Sequence, residues 1–382
     1  MDSKKIAGVV SNIGFVVYAD LRYTNGYTNR LLRVLDILKG TIKPVIISSS
    51  DPGPNKFDEF EGNKGKPLGS WLLKYRSTRF PFKFYYVLCW NIKLAVTLLF
   101  NKFEVVFSVY DPLSFGVIWF FSKLKKYKIV FEMHSIHSED HIEIGHKGVL
   151  LKMDRLLEQF VARHSDFIIA LSKNIFDFYY PYNSKMELVP VFIDTSVFKP
   201  RSDGSQSNSK SIGLIGPFGT MDLRRNHCLE FVYSNIDKFD ERINFIVIGS
   251  CSHVINNPRF KYTGYLASEA DYAARISNLN AVLVVENQAT NGPLNKLLEP
   301  MSCAVPVFAT PKTMVGLYNV EPGKELHVFE ENDIVDRVNK MLFNSSLMAE
   351  IGKNGRTAVE NYYSKSVNQQ KYLAIINSVL DR

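Results

Sequence analysis

A lysine and a carboxylate stand at the start of a predicted helix in residues 291–310, which read NGPLNKLLEPMSCAVPVFAT. Gly292 and Pro293 end the preceding segment, and Pro is tolerated near a helix start because its missing N–H would have no partner there. The free N–H groups of a helix start attract anions, and Lys296 in the first turn adds positive charge. This stretch therefore predicts a phosphate site.

The spacing of side chains in this stretch separates a packing face from a chemical one. Leu297, Leu298 and Met301 repeat at helical spacing, whereas Lys296 and Glu299 lie three residues apart on another stripe. A carboxylate at Glu299 can accept hydrogen bonds from two hydroxyl groups, for instance those of a ribose. The helix start thus pairs a cation for phosphate with an acceptor for a vicinal diol.

A second cationic loop precedes another predicted helix. The strand predicted at 211–216 leads into PFGTMDLRRN, in which Arg224 and Arg225 come directly before the helix. Ligands of open parallel sheets bind outside the carboxyl ends of the strands, where this loop and the helix that carries Lys296 and Glu299 would both lie. Two cations, a helix start and a diol acceptor describe a nucleoside diphosphate site.

Short apolar runs alternate with helical patterns along the chain, which predicts βαβ units on parallel sheets. The series is interrupted at 200–210 by PRSDGSQSNSK, whose small polar residues indicate a linker. At 382 residues the chain is also too long for one ordinary core. We therefore expect an α/β fold with two Rossmann-like, doubly wound domains at 1–200 and 201–363. A C-terminal helix at 364–382 is expected to pack back toward the first domain.

Positive charge is concentrated in the first half of the chain. The formal net charge is +8, and residues 1–200 hold 27 Lys and Arg against 19 Asp and Glu, so the second half is close to neutral. An anionic partner such as a membrane surface, a lipid phosphate or a nucleic acid fits this asymmetry, and so does a merely solvated basic face. Both interpretations stay open at this point.

An aromatic and basic run at 71–100 bears on the same question. Its cations alternate with aromatic side chains, as in an interfacial membrane segment or a groove for single-stranded nucleic acid. Part of the run, from about residue 86 onward, has the pattern of an ordinary buried helix. We expect an anionic membrane surface as a partner rather than a nucleic acid.

The four Cys residues are scattered, without CxxC or Cys/His spacing, which indicates reduced thiols and neither a disulfide framework nor a zinc site. The first residues, MDSKKIAGVV, lack the apolar run of a signal peptide, and no window holds about 18 uninterrupted apolar residues. We expect a cytoplasmic protein that at most lies on the inner face of a membrane.

Several motifs occur in the order found in one enzyme family. They are FEMHSIHSED at 131–140, DFIIALSKNI at 166–175, PVFIDTSVF at 190–198, the pair Arg225 and Asn226, and the stretch NKLLEPMSCAVPVFAT. In order and spacing they resemble the retaining GT-B glycosyltransferases of the family 4 type, the glycosyl transferases group 1. The resemblance covers nearly the whole chain and implies two domains that face each other across a cleft.

The resemblance implies roles for individual residues. Arg225 would hold the donor diphosphate, assisted by the N–H groups of Leu297 and Leu298, and Glu299 would bind the ribose. His134 would lie beside the donor sugar, although a strand-end histidine with a purely structural partner is the alternative.

The loop that ends at Gly26 would face the donor phosphates or the acceptor. A lone Gly between a strand and a helix fits a simple turn equally well.

Two positions depart from the family pattern. The family does not usually place a cation at Lys296, so the role of that residue in diphosphate binding depends on the helix-start argument alone. Asn291 stands where the family commonly carries a Glu; an amide can hydrogen-bond sugar hydroxyls but cannot stabilise a positive centre. Glu286, five residues earlier, could substitute only if the loop differs.

The expected reaction moves a sugar from a UDP- or GDP-sugar to a glycan or lipid-linked acceptor with retention, in surface polysaccharide or glycoconjugate synthesis. The resemblance implies front-face transfer with no covalent nucleophile, metal or other cofactor. Arg225 and Lys296 would then stabilise the leaving diphosphate. A nucleotide-sugar epimerase of the same fold and a non-catalytic binding or membrane-docked subunit are the alternatives.

Overall fold

The structure is a computed structural model. It describes residues 10–18, 26–48, 82–109, 112–143, 147–201, 209–219, 223–252, 254–289, 291–292 and 294–380. The chain divides into two compact units. The first comprises residues 1–171, 175–189 and 369–382, and the second comprises residues 172–174 and 190–368. The domain limits predicted from the sequence stay a prediction.

The first unit is built on a parallel sheet of six strands in the order β2-β1-β3-β4-β5-β6. The strands are β1 (Val10–Val17), β2 (Ile42–Ser48), β3 (Val105–Val109), β4 (Lys128–Met133), β5 (Phe167–Ala170) and β6 (Met186–Leu188). Every residue of β3 and β5 is buried, as expected for strands covered on both faces. One charged side chain, Glu132, is buried within β4.

Helices connect these strands. They are α1 (Gly26–Leu38), α2 (Phe82–Phe100), α3 (Phe115–Lys125), α4 (His137–Glu143), α5 (Gly148–His164) and α6 (Lys173–Tyr179). The buried side chains Leu31, Val34, Leu35 and Leu38 give α1 an apolar face at helical spacing. A last helix, α12 (Lys365–Leu380), contributes its part from residue 369 onward to this unit.

The second unit contains another parallel six-stranded sheet, in the order β12-β11-β10-β7-β8-β9. Its strands are β7 (Lys210–Ile215), β8 (Ile243–Ile248), β9 (Phe260–Tyr262), β10 (Ala281–Val284), β11 (Val307–Ala309) and β12 (His327–Val328). Its helices are α7 (Leu223–Ser234), α8 (Glu269–Ser277), α9 (Asn295–Ser302), α10 (Ile334–Met341) and α11 (Ser345–Ala358).

Both faces of the second sheet are covered. Val282 and Val284 of β10 point into a cluster that includes Leu297 and Leu298 of α9. The alternate residue Leu283 points into the opposite cluster, with side chains of α7 and α10. The period of two in a strand thus divides β10 between two cores. The predicted α/β class with doubly wound sheets is confirmed.

The structure also adjusts several predicted elements. Helices α4 and α6, each seven residues long, and strand β9 were not predicted. The helix predicted from about residue 86 begins at Phe82. The predicted loop at 51–70 and the first part of the aromatic run, 71–81, lie outside the described residues.

The described part of the aromatic run shows two faces. Trp90, Leu94 and Leu98 of α2 are fully buried, whereas Leu88 and Ile92 are about half exposed. The core interpretation therefore holds for one face of the helix. Among the helices that the structure describes, none is long and apolar enough to cross a membrane.

Candidate functional site

Lys296, the second residue of α9, forms an ion pair with Glu286. The Glu286 side chain is only 9% exposed and that of Lys296 is 22% exposed. Glu286 follows β10 by two residues, so the carboxylate comes from the carboxyl end of a central strand. The predicted phosphate cation is therefore partly neutralised, and a diphosphate would have to share it with a buried carboxylate.

Glu286 is itself anchored to the neighbouring strand. Its backbone N–H donates to Thr310 Oγ1 at 3.0 Å, and Thr310 N–H donates to the carbonyl oxygen of Val284 at 3.2 Å. Because β10 and β11 are parallel, their carboxyl ends meet at one edge of the sheet. These bonds fix the carboxylate at the edge where ligands of such sheets bind.

Glu299 lies one turn after Lys296 and is 5% exposed. Its Oε2 accepts a hydrogen bond of 2.8 Å from the hydroxyl of Tyr272 on α8. The predicted diol acceptor is thus a buried carboxylate whose direction is set by a neighbouring helix. A carboxylate has about four lone-pair positions, so it can accept hydrogen bonds from several donors at once.

Leu297 and Leu298 combine a packing role with backbone N–H groups in the first turn of α9. Their side chains are completely buried in the core of the second unit. Their N–H groups donate to the carbonyl oxygen of Leu294, at 3.0 and 3.3 Å. A diphosphate at this helix start would compete with Leu294 for these donors, and the predicted assistance from the two amides stays a prediction.

Asn291 is held by residues 172–174, which belong to the same unit. The Ser172 hydroxyl donates to its carbonyl oxygen, and Asn174 Nδ2 donates to Asn291 Oδ1 at 2.5 Å. The amide that stands in the expected place of a carboxylate is therefore already engaged by another amide. Its predicted contact with the donor sugar stays a prediction.

Arg225 was expected directly before the helix but lies in the first turn of α7, which begins at Leu223. Its side chain is outside what the structure describes. The next residue, Asn226, accepts a hydrogen bond through Oδ1 from Gly219 N–H at 2.5 Å. Gly219 has φ +88°, a conformation that favours glycine, and a Cβ there would also collide with Ser252. The backbone at Gly219 is thus fixed by Asn226 and by the nearby Ser252.

The first unit contains the two remaining predicted residues. Gly26 is the first residue of α1, and the loop before it lies outside the described residues. His134 directly follows β4, and its Nε2 lies 3.0 Å from Glu132 Oε1. Its side chain is 9% exposed. His134 therefore has a buried carboxylate partner, a feature shared by structural and catalytic histidines.

Glu132 is the centre of a buried network. Arg30 Nε donates to Oε1 at 2.8 Å and the Tyr372 hydroxyl donates to Oε2 at 3.0 Å. Arg30 Nη2 donates in turn to Tyr372 Oη at 2.8 Å. Burial opposes ionisation of Glu132, but Arg30 and His134 outweigh it and lower its pKa to about 2. Burial raises the pKa of the Tyr372 hydroxyl well above its usual value, so the group stays a donor.

Sequence reasoning missed four of these residues: Arg30, Glu132, Tyr272 and Tyr372. One signal was available, because a carboxylate inside the apolar strand KIVFEM requires a buried partner. The partners could not be found from spacing, since Arg30 and Tyr372 are 342 positions apart. Within the described ranges, no three His, Cys, Asp or Glu side chains are grouped so that they could hold a metal ion.

Residues 224–374 match a family described as glycosyl transferase-like. This range contains Arg225 and all of α9. A comparison with curated proteins found none that matches the chain.

Solved glycosyltransferase structures resemble the chain over nearly its whole length. Sucrose-phosphate synthase from Thermosynechococcus elongatus superimposes with a TM-score of 0.75 at 12% identity, covering 97% of this chain and 99% of that one. HepE from Anabaena, in complex with UDP and glucose, superimposes with a TM-score of 0.67 at 12% identity, covering 96% of this chain and 99% of HepE. The lipopolysaccharide outer core galactosyltransferase WaaB superimposes with a TM-score of 0.61 at 13% identity, covering 96% of this chain and 99% of WaaB.

Identities this low show the fold alone, and that fold is GT-B. The enzyme class comes from the match at 224–374. The predictions of the fold and of the enzyme class are both confirmed: the chain is a glycosyltransferase of the GT-B fold.

Proposed function

We propose that the enzyme transfers a sugar from a UDP- or GDP-sugar to a glycan or lipid-linked acceptor with retention of configuration. The observation that carries this proposal is the arrangement on α9, where buried Glu299 is fixed by Tyr272 one turn after Lys296. The arrangement lies in the range that matches a glycosyl transferase-like family. It supplies a diol acceptor and a cation at one helix start.

The ribose of the donor binds to Glu299. The bond from Tyr272 orients the carboxylate before the donor arrives, so little side-chain freedom is lost on binding. Burial strengthens hydrogen bonds to the charged group because water competes poorly for it. A ribose offers two neighbouring hydroxyl donors that suit the remaining lone pairs.

The diphosphate binds to Arg225 and Lys296, with the N–H groups of Leu297 and Leu298 as further donors. Lys296 is paired with Glu286 in the structure, so donor binding draws its ammonium group toward the phosphate oxygens. Glu286 keeps the lysine side chain at the helix start when no donor is bound. Pairing with Glu286 lowers the net positive charge at the helix start. Lys296 therefore contacts the carboxylate in one state and the phosphate oxygens in the other.

Transfer occurs on the front face of the donor sugar. The leaving diphosphate accepts the proton of the acceptor hydroxyl, and Arg225 and Lys296 stabilise the charge that develops on it, each by a few kcal/mol. His134 and Asn291 hydrogen-bond the donor sugar. The backbone at Gly26 approaches the donor phosphates or the acceptor, as a residue without a side chain allows.

The donor nucleotide is best sought first among uridine diphosphates. HepE structures were solved with UDP, with UDP and glucose, and with UDP-glucose. A screen of UDP- and GDP-sugars, which measures the released nucleoside diphosphate, identifies the donor. The anomeric configuration of the product, read from its proton coupling constants, tests retention.

The matched variants for this screen are Glu299→Gln, which removes the charge of the proposed ribose acceptor, and Glu350→Gln on the exposed face of α11. We expect Glu299→Gln to lose most transfer and Glu350→Gln to keep it. A fully active Glu299→Gln enzyme overturns the proposed site. Consumption of donor without any acceptor would instead indicate an epimerase.

A lipid-linked acceptor fits an apolar surface next to His134 in the chain. We call it the α4–α5 surface and define it by Ile142, Val149, Leu150, Met153 and Leu156. Their exposed fractions run from 47% to 74%. On α5 these side chains share one face, and α4 packs against that helix.

The flanks of the α4–α5 surface are cationic. Lys147, Lys152 and Arg155 are exposed there. Apolar side chains next to Lys and Arg are typical of a helix that lies in an anionic membrane interface. The enzyme would then meet its acceptor on the inner face of a membrane.

A further inference from the structure

We propose that Arg30 and Tyr372 are positioning residues, which act through Glu132 to fix the ring of His134. The proposal rests on the proposed function in one respect, that His134 takes part in sugar transfer. It adds Arg30 of α1 and Tyr372 of α12 to the site, to which α1 was already expected to contribute Gly26.

The contacts form a closed ring of hydrogen bonds around Glu132. Oε1 accepts from both Arg30 Nε at 2.8 Å and His134 Nε2 at 3.0 Å, and Oε2 accepts from Tyr372 at 3.0 Å. Arg30 Nη2 also donates to Tyr372 Oη at 2.8 Å and to the carbonyl oxygen of Val189 at 3.1 Å. Arg30, Glu132 and Tyr372 are therefore each held by the two others, and His134 is attached to this ring through Glu132 Oε1.

The exposed fractions of these side chains indicate which member of the network can contact a ligand. Arg30 and Glu132 are 3% and 2% exposed as side chains, and Tyr372 is completely buried. His134, at 9%, is the member through which the network reaches the carboxyl end of β4. A buried ion pair is seldom more stabilising than apolar side chains of the same volume. Apolar side chains could fill this core as stably, whereas only a polar network can orient the His134 ring.

The network also selects one tautomer of the ring. Glu132 is ionised: burial opposes this, but the Arg30 guanidinium, whose Nε lies 2.8 Å from Oε1, lowers the pKa of the carboxyl. An ionised carboxylate can only accept, so His134 Nε2 carries a proton. In the neutral ring Nδ1 is then the acceptor, which is the atom that can receive a hydrogen bond from a sugar hydroxyl. Loss of the network would allow the other tautomer and a rotated ring.

The first test combines Tyr372→Phe with His134→Ala in the full-length enzyme. Tyr372→Phe removes the hydroxyl but keeps the ring that fills the core. We expect it to lower kcat about fivefold, the value of one hydrogen bond, and to change KM for the donor little. In the His134→Ala background the same change should leave the residual kcat unaltered. An equal loss in both backgrounds overturns the proposal.

A matched control separates positioning from general stability. Tyr179 is 1% exposed, belongs to the same unit and donates to buried Glu158 at 2.7 Å. Tyr179→Phe thus removes the same kind of bond without touching His134, and kcat should stay at the wild-type value. Arg30→Lys, which keeps the charge but loses the planar guanidinium, is the second variant and should behave like Tyr372→Phe. A fivefold loss in Tyr179→Phe would contradict the proposal.

The second test reads the ring directly and does not depend on activity. In protein labelled with ¹⁵N-histidine, the signals missing from His134→Ala identify its two ring nitrogens. We expect a single Nε2–H tautomer in wild type and shifted ring-nitrogen signals in Tyr372→Phe, because Glu132 stays ionised beside Arg30 but loses the hydrogen bond that fixes its direction. Identical His134 signals in the two proteins overturn the positioning role. Full kcat in His134→Ala, with ring signals that do depend on Tyr372, would instead overturn the role of His134 in the proposed function.

Discussion

The hydroxyl of Tyr272 lies 2.8 Å from Glu299 Oε2 and joins α8 to α9. The Tyr272 ring stands edge-on to Phe198, with the ring centroids 6.0 Å apart. Glu299 is therefore not a free carboxylate at a helix start but one whose direction is set by a packed aromatic side chain. The ability of the site to bind a diol depends on this contact.

Replacing Tyr272 by Phe should weaken donor binding and leave the chemical step intact. The ring still packs against Phe198, but Glu299 loses a hydrogen bond worth about 1 kcal/mol. We expect KM for the donor to rise about fivefold at unchanged kcat, because a ribose contact acts equally in the ground state and the transition state. Tyr318→Phe, which removes a 3.4 Å contact with the Tyr362 carbonyl oxygen, is the control. An unchanged KM in Tyr272→Phe contradicts the ribose assignment.

Replacing Lys296 by Met should affect both stability and transfer. The change leaves Glu286, whose side chain is 9% exposed, without its cation and should lower the free energy of unfolding by about 1–2 kcal/mol. It should also lower kcat by about a hundredfold, because charge on the leaving diphosphate loses a stabilising group. Urea unfolding and steady-state kinetics measure the two effects separately.

The double variant Lys296→Met with Glu286→Gln separates these causes. Removing both charges restores most of the stability, because no unpaired carboxylate is left. The loss in kcat should persist. Recovery of kcat in the double variant would show that Lys296 only neutralises Glu286. Lys312→Met is the matched control, since Lys312 also reaches this loop by donating to the Asn287 carbonyl oxygen at 2.6 Å but is not a proposed phosphate ligand.

The elements of the site could be predicted because they follow from local patterns. Residues Leu297, Leu298 and Met301 were predicted as the apolar stripe of a helix that begins at Asn295, and all three side chains are buried in a helix with that start. The helical spacing of these three side chains, behind a Gly-Pro pair that ends the preceding segment, makes this prediction possible. The same holds for the strands, whose apolar runs are short and end in polar residues.

The partners of the site residues could not be predicted, because they depend on how distant elements pack. The pair between Lys296 and Glu286 requires the backbone path of the loop between them, which spacing does not encode. Arg30 reaches Tyr372 across 342 positions. Helices α4 and α6 were missed for another reason, since seven residues hold too few repeats for a helical period to stand out.

Acid should destabilise the first unit through Glu132. Its pKa is lowered from 4.5 to about 2 in the folded chain, because Arg30 and His134 outweigh the opposite effect of burial. The ionised group therefore contributes about 3 kcal/mol of stability above pH 4.5, which is lost as the pH falls through 2. About 2 kcal/mol of it should be gone at pH 3.

Urea unfolding at pH 7 and pH 3 measures this loss. Wild type should lose more stability between the two values than Glu132→Gln, which cannot titrate at that position. Asp240→Asn is the comparison variant in the second unit, because hydrogen bonds from Arg242 lower the pKa of that half-buried carboxyl to about 2 as well. An equal pH dependence in wild type and Glu132→Gln would show that the buried network contributes nothing to acid stability.

Binding to anionic membranes should depend on the α4–α5 surface. Met153 lies at the centre of this surface and is 60% exposed. Met153→Glu adds a negative charge among the apolar side chains that would enter the membrane interface. We expect wild type to sediment with phosphatidylglycerol vesicles at low salt, less at high salt, and Met153→Glu to stay in solution under both conditions. Val254→Glu places the same charge at a position 68% exposed in the second unit and should still sediment. Lysines and an arginine flank the apolar face, so binding should be strongest at low salt. If wild type does not sediment with anionic vesicles even at low salt, the membrane surface is excluded as a partner.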